Sequence, residues 1–373
     1  MGQLHRGNSI GTISRPRSRT AIDLFAGSGG LTEGLKTAGF TVIAAVEIDP
    51  LAVKTYSKNH PEVVVFETDI RKLKCRTMMR KVRKKKGEID LLAGCPPCQG
   101  FSTLKTLNGS AQVEDKRNDL VFEYLRFVRE IRPKAIMLEN VPGLASDKRM
   151  EKLSKALEEL GYECQFEVLD AQEFGVPQRR RRLILVGSLY GKVGFGRRTI
   201  KPKTVWQALR GLSSRKRTDP LHDVRPSKRS DRITELIALI PKNGGSRSSL
   251  PRRMKLRCHR RSTGFKDVYG RMAWKKVAPT ITTGCVNPSK GRFLHPVANR
   301  AITLREAAVL QSFPRSYFFS LEKGKFAVAA LIGNALPPEF IRRHARKIYR
   351  FLEKSDAQHR RSPRAKSHAP KSV

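Results

Sequence analysis

TAIDLFAGSGGLTEGLKTAGFTVIAAVEID, residues 20–49, decides the fold reading. The apolar run at 21–25 predicts a strand that ends in a glycine-rich turn. LTEGLKTAG then predicts a helix closed by Gly39, and 41–49 predicts the next strand. Helix follows strand in short units, which is the signature of a parallel sheet with crossover helices.

The pattern continues outward. Residues 50–59 predict a helix with Pro50 at its start. Strands are expected at 63–66, 89–94, 134–141 and 182–188, with an extended piece at 166–169. Basic residues 75–86 predict a helix. In 118–131, Leu120, Val121, Tyr124, Leu125, Val128 and Ile131 share one helical face, and 148–160 also reads as helix. The expected fold class is therefore α/β, a doubly wound, mostly parallel sheet with ligands at the carboxyl ends of its strands. Thr303 and Glu306 have capping-box spacing, and helices are expected at 325–332 and from Pro338.

Charge narrows the partner. The 373 residues carry 75 Lys and Arg against 33 Asp and Glu, a net charge of +42, which points to a polyanion and first to nucleic acid. Residues 197–266 hold 21 of these cations against 4 acidic residues, and contain one clear helical pattern at 231–240, so they read as a separate basic module or insertion. The ends, 1–19 and 354–373, read as a flexible basic arm and tail. No apolar run spans a bilayer, and the N-terminus has no signal-type apolar region. Six cysteines are too sparse for a disulfide scaffold and fit a reducing compartment. No Cys/His set has zinc spacing, so no metal is expected.

Four motifs carry chemistry. In DLFAGSGG (23–30), Gly27, Gly29 and Gly30 let a ligand approach the backbone. Glu47 stands where such folds bind ribose hydroxyls, and Asp69 can accept from an adenine amino group. The spacing is not GxGxxG, so a compact nucleoside fits better than a dinucleotide. In GCPPCQGFS (94–102) a cysteine follows a central strand, and three readings compete: nucleophile, buried structural thiol, or a CxxC redox pair. Glu139 in ENV ends the fifth strand, as a catalytic carboxylate or a salt-bridged one. In QRRRR (178–182), Arg180 and Arg182 share one face and Arg179 and Arg181 the other, as anion binders or as a solvated edge.

DLFAGSGG, VEIDP, TDI, GCPPCQGFS, LENVPG, QRRRR, TLREAAVLQSFP and GNALPP stand in one order over about residues 20–350. In this the chain resembles the bacterial DNA (cytosine-5)-methyltransferases of restriction–modification systems. The resemblance implies an S-adenosylmethionine-dependent methyltransferase fold at 20–190. It further implies a target-recognition domain at 191–300, with base contacts more expected from 205–268 than from 269–296, and a C-terminal segment at 301–353 that returns to the catalytic domain. It implies Cys98 as the nucleophile on cytosine C6, Glu139 as the group that protonates N3, and Arg182 at O2 with Arg180 in support. Gln99 would help the disrupted duplex or the active-site loop. S-adenosylmethionine would lie on Phe25, Ala26, Gly27, Gly30, Glu47, Ile48, Asp69, Ile70, Pro97 and Asn334. The implied partner is double-stranded DNA, read by a monomer in the bacterial cytoplasm, with a restriction endonuclease as a genetic partner. A tRNA cytosine-5 methyltransferase and a catalytically silent DNA-binding protein are the alternatives; intact Cys98, Glu139 and Arg182 argue against the second. The run RKVRKKK (80–86) is open to phosphate contact or to a solvated face.

Overall fold

The computed structural model describes residues 18–97, 119–199, 201–212, 219–225, 229–256 and 267–361. Its centre is a seven-stranded sheet. The strands are β1 (Thr20–Leu24), β2 (Thr41–Glu47), β3 (Val64–Glu67), β4 (Leu91–Gly94), β5 (Ala135–Asn140), β6 (Glu163–Asp170) and β7 (Arg181–Ser188). Their order is β3-β2-β1-β4-β5-β7-β6. The first five strands run parallel, so Leu24, Glu47, Glu67, Gly94 and Asn140 end at one edge. β7 is antiparallel to β5, with Leu183 opposite Asn140. That reversal brings the start of β7, rather than its end, to the same edge. β6 pairs antiparallel with β7 over its whole length, Asp170 opposite Arg181, and is longer than the 166–169 expected.

Helices cover both faces, which is why the strands read as nearly continuous apolar runs. On one face α1 (Gly30–Ala38) buries Leu31, Leu35 and Ala38 against Phe340, Ile341, Ala345 and Ile348 of the last helix. On the other lie α3 (Cys75–Lys81), α4 (Leu120–Ile131) and α5 (Lys148–Glu159), with Met78, Tyr124, Val128 and Leu153 buried. Asp49 caps α2 (Pro50–Asn59) by accepting from Leu51 N at 2.9 Å. α3 stops at Lys81 instead of running to residue 86. Arg83 takes a left-handed φ of 52°, and the Lys84 N–H turns back to Met79 O. A run of like charges cannot form the opposite-charge i,i+4 pairs that would extend it.

The basic region packs differently. α6 (Val205–Leu209), residues 272–293, α8 (Leu304–Leu310) and α9 (Gly324–Asn334) share one apolar cluster. This cluster crosses residue 300, so α8 and α9 share an apolar core with the basic region. α7 (Asp231–Leu239) belongs to a smaller cluster with Tyr269 and Leu294. Fully buried Arg271 staples it, donating to Ile237 O at 2.9 Å and His295 O at 2.9 Å. The Thr303–Glu306 capping box forms in both directions.

α10 (Pro338–Arg361) continues past the tail boundary expected at 354. Ser355 is buried, and Asp356 receives a 2.8 Å hydrogen bond from Arg19. Arg19, the last residue of the expected arm, is itself buried and pairs with Asp90. Among the described residues no helix is long and apolar enough to cross a membrane, and no cluster of His, Cys, Asp or Glu has the form of a metal site.

Candidate active site

One cavity of about 550 Å³ opens at the carboxyl edge of the sheet. Each parallel strand from β1 to β5, or the loop after it, contributes to its wall. Phe25, Ala26, Gly27, Gly30, Glu47, Ile48, Asp69, Ile70, Pro97 and Asn334 all line it, with Glu139, Arg180 and Arg182. Cys98 and Gln99 lie outside the described residues, which resume at Asp119.

Glu47 is held by the backbone. Its Oε2 accepts from Gly27 N at 2.7 Å, and its Oε1 accepts from Ile48 N and Asp49 N, both at 2.9 Å. Phe25 before it turns the chain with a left-handed φ of 63°, strain of the kind that collects at functional sites. Asp69 accepts from Arg71 N at 2.9 Å and from the Arg71 guanidinium, which holds its carboxyl below the usual range. Ile48, 61% exposed, presents an apolar surface between these two acids.

The glycines divide in a way the motif does not reveal. Gly27 has φ 54°, and a Cβ there would meet nothing within 4 Å among the described residues. A Cβ on Gly29 would lie 2.5 Å from Tyr317 Oη, and one on Gly30 would lie 2.3 Å from Leu336 O. Gly27 alone of the three leaves room for a ligand; the other two admit the C-terminal segment.

Opposite the Glu47 end, Glu139 is 2% exposed at the end of β5. Its Oε1 lies 2.9 Å from Arg182 Nε, an ion pair that lacks hydrogen-bond alignment. Its Oε2 accepts from the Cys95 thiol at 2.7 Å. Asn140 donates from Nδ2 to Pro96 O at 3.0 Å and ties β5 to the proline loop that leads to Cys98. Arg179 and Arg181 are exposed, while Arg180 is buried and Arg182 partly so. The two inward arginines differ in role. Arg180 donates to Ile281 O at 3.1 Å and Gly333 O at 3.0 Å, and burial lowers its pKa to about 9. Through these carbonyls it binds the wall that carries Asn334 to the strand edge. Cys95 and Asn140 escaped the sequence reading. For Cys95 the only signal was its place directly after a strand end.

The family of C-5 cytosine-specific DNA methylases matches residues 19–350. The chain belongs to that family. The methylase is 37% identical over 354 residues to the type II methylase M.HgiDII of Herpetosiphon aurantiacus, covering 89% of this chain and 95% of that one. It is 33% identical to the type II methyltransferase M1.HphI of Haemophilus parahaemolyticus, covering 86% and 84%. A crystal structure described as a prophage-encoded DNA modification methyltransferase of E. coli superposes with TM-score 0.66 at 26% identity, over 90% of the methylase and 100% of that chain. The Entamoeba histolytica methyltransferase EhMeth, at 17% identity and TM-score 0.63 over 90% and 99%, shares the fold.

Beneath the methylase's glycine loop lies an unusual acid. Asp23 is fully buried; its Oδ2 accepts from Thr32 Oγ1 at 2.7 Å, and its Oδ1 has no partner among the described residues. Burial first, and the Glu47 charge after it, raises its pKa from 3.8 to about 7. The folded protein therefore keeps a proton that the unfolded chain gives up near pH 4. Stability falls as pH rises from about 4 to about 7 and levels above that, by up to roughly 4 kcal/mol. Asp23→Asn, which keeps an acceptor for Thr32, should flatten this slope. Urea unfolding of both proteins between pH 4.5 and 7.5 checks it; parallel curves would refute the assignment.

Proposed function

We propose that this methylase transfers a methyl group from S-adenosylmethionine to C5 of a flipped-out cytosine in a specific duplex DNA sequence, through a covalent bond from Cys98 to C6. The observation that carries the reading is the two-ended cavity: Glu47 and Asp69 at one end, Glu139 and Arg182 at the other.

The lining fits the cofactor. A carboxylate fixed by three amides suits the two hydroxyls of a ribose, Asp69 suits an amine, and Ile48 and Ile70 offer apolar faces. Among the described residues the lining arginines are engaged: Arg71 by Asp69, Arg182 by Glu139, and Arg180 by carbonyls. This suits a nucleoside without phosphates. Bound there, S-adenosylmethionine supplies an electrophilic methyl on a sulfonium.

The protein's part is to make C5 nucleophilic. Attack of the Cys98 thiolate on C6 moves electron density to C5, and covalent catalysis splits one hard step into easier ones. Glu139 protonates N3 and so disperses the charge that develops on attack. Arg182, already oriented by Glu139, holds O2. Loss of the C5 proton and of Cys98 then releases 5-methylcytosine. A thiol cannot reach C6 inside the stack, so the base leaves the duplex, at a cost of about a few kcal/mol. Gln99 stabilises the disrupted site. The basic region 191–300 reads the target, its arginines suited to guanine edges and most of its cations to phosphate. The enzyme works as a monomer in the bacterial cytoplasm, with a restriction endonuclease as its genetic partner.

Single-base mapping of 5-methylcytosine in plasmid DNA from cells expressing the chain tests this, beside a Cys98→Ala control. Methylation at one short motif that vanishes in the control is expected. Unmethylated plasmid from folded, cofactor-binding protein would move the assignment to tRNA or to a silent DNA binder.

A further inference from the structure

Glu139 must present one oxygen to the substrate while buried, and something has to hold its carboxyl plane. Arg182 faces Oε1. The second contact comes from a residue that the proposed chemistry does not use. We infer that Cys95 is a positioning residue for the reaction: its thiol donates to Glu139 Oε2, so that Oε1 is left for the base. This rests on the reading of Glu139 given above.

Three observations support it. First, the sheet fixes Cys95. Gly94 pairs with Leu138 across β4 and β5, so Cys95 and Glu139 are the next neighbours in register. The Cys95 N–H extends the ladder by donating to Leu24 O at 3.2 Å. The sulfur then stands 2.7 Å from Oε2 without any loop adjustment. Second, Glu139 lines the cavity, and its buried Oε1 has no hydrogen-bond partner among the described residues. It is the oxygen with spare capacity, and a buried polar atom left without a partner is costly, so a hydrogen bond with the base there is favoured. Third, burial and the Glu139 charge push the Cys95 thiol well above its ordinary pKa. It stays S–H across the working range, a donor and not a second nucleophile.

The contact is a hydrogen bond to a charged group, so losing it should slow the step in which Glu139 acts by about tenfold. The test uses the full chain with a duplex substrate and excess cofactor, and measures single-turnover methyl transfer. Cys95→Ala should lose about tenfold in rate with little change in DNA binding, and Cys95→Ser, whose hydroxyl still donates, should recover most of it. In a double-mutant cycle, Cys95→Ala should cost almost nothing once Glu139→Gln is present, because the two act as one unit. Without substrate, the infrared S–H stretch isolated by subtracting the Cys95→Ala spectrum should move to higher frequency in Glu139→Gln. Fully multiplicative rate losses, failure of serine to rescue, or an unmoved S–H band would each overturn the inference. A wild-type protein that never methylates cytosine C5 would instead overturn the function on which it rests.

Discussion

Glu139→Gln should lower single-turnover methyl transfer about 10³-fold, in the middle of the range for a positioned general acid. The amide keeps the size of the carboxyl and an acceptor for the Cys95 thiol, but it cannot supply a proton to N3. It also leaves Arg182 beside a neutral group, and breaking a partly buried ion pair costs stability as well as chemistry. The two losses separate by measurement. Rapid-quench assays on a duplex oligonucleotide give the rate, thermal unfolding gives the stability, and calorimetry gives cofactor affinity. Glu47 ends β2 and Asp69 follows β3, away from β5, so affinity for S-adenosylmethionine should hold within about threefold, a change under 1 kcal/mol. A rate within tenfold of wild type would remove Glu139 from the acid's role. A large loss of affinity would mean that the two ends of the cavity do not act separately.

Gly30→Ala should destabilise the fold by about 3 kcal/mol, at the upper end for overpacking by one carbon. The new Cβ would lie 2.3 Å from Leu336 O and 3.2 Å from Phe313 Cζ. Neither neighbour yields easily. Leu336 precedes Pro337 and Pro338, whose rings restrict the backbone, and Gly30 is the first residue of a helix packed under α10. Gly27→Ala makes the useful contrast. There a Cβ meets only open space, so the change should cost roughly 1 kcal/mol of backbone strain at a left-handed φ while crowding the cofactor end. Urea unfolding with cofactor titration should therefore show Gly30→Ala losing stability first and Gly27→Ala losing affinity first. If the two variants behave alike, the division of the glycine motif between packing and binding is wrong.

The candidate site was readable to an unequal degree. Glu47, Asp69 and Glu139 lie at or just past strand ends, and a carboxylate in that position of a doubly wound sheet is unusual enough to notice. The resemblance then implied ten residues for the cofactor, and all ten line one cavity. Cys95 and Asn140 were not legible. Each acts through a single contact across neighbouring strands, and strand register is a property of pairing that no local pattern contains. The roles of Arg180 and Arg182 were open for the same reason. Alternation placed both inward, but only the packing of residues 281 and 333 decides that one meets carbonyls and the other meets Glu139.

By itself, the amino-acid sequence determined the α/β class, the strand and helix succession, the basic character of residues 197–266 and the set of chemical groups. These follow from periodicity, charge and motif order, which are local or additive. The tertiary structure alone decided that β7 runs antiparallel, and so delivers its first residues, not its last, to the working edge of the sheet. It also decided that the C-terminal helix packs back on α1, and that Tyr317, Phe313 and Leu336 close on two of the three glycines. Both depend on which surfaces meet far apart in the chain, where burial of apolar area sets the pairing and local preference has no say.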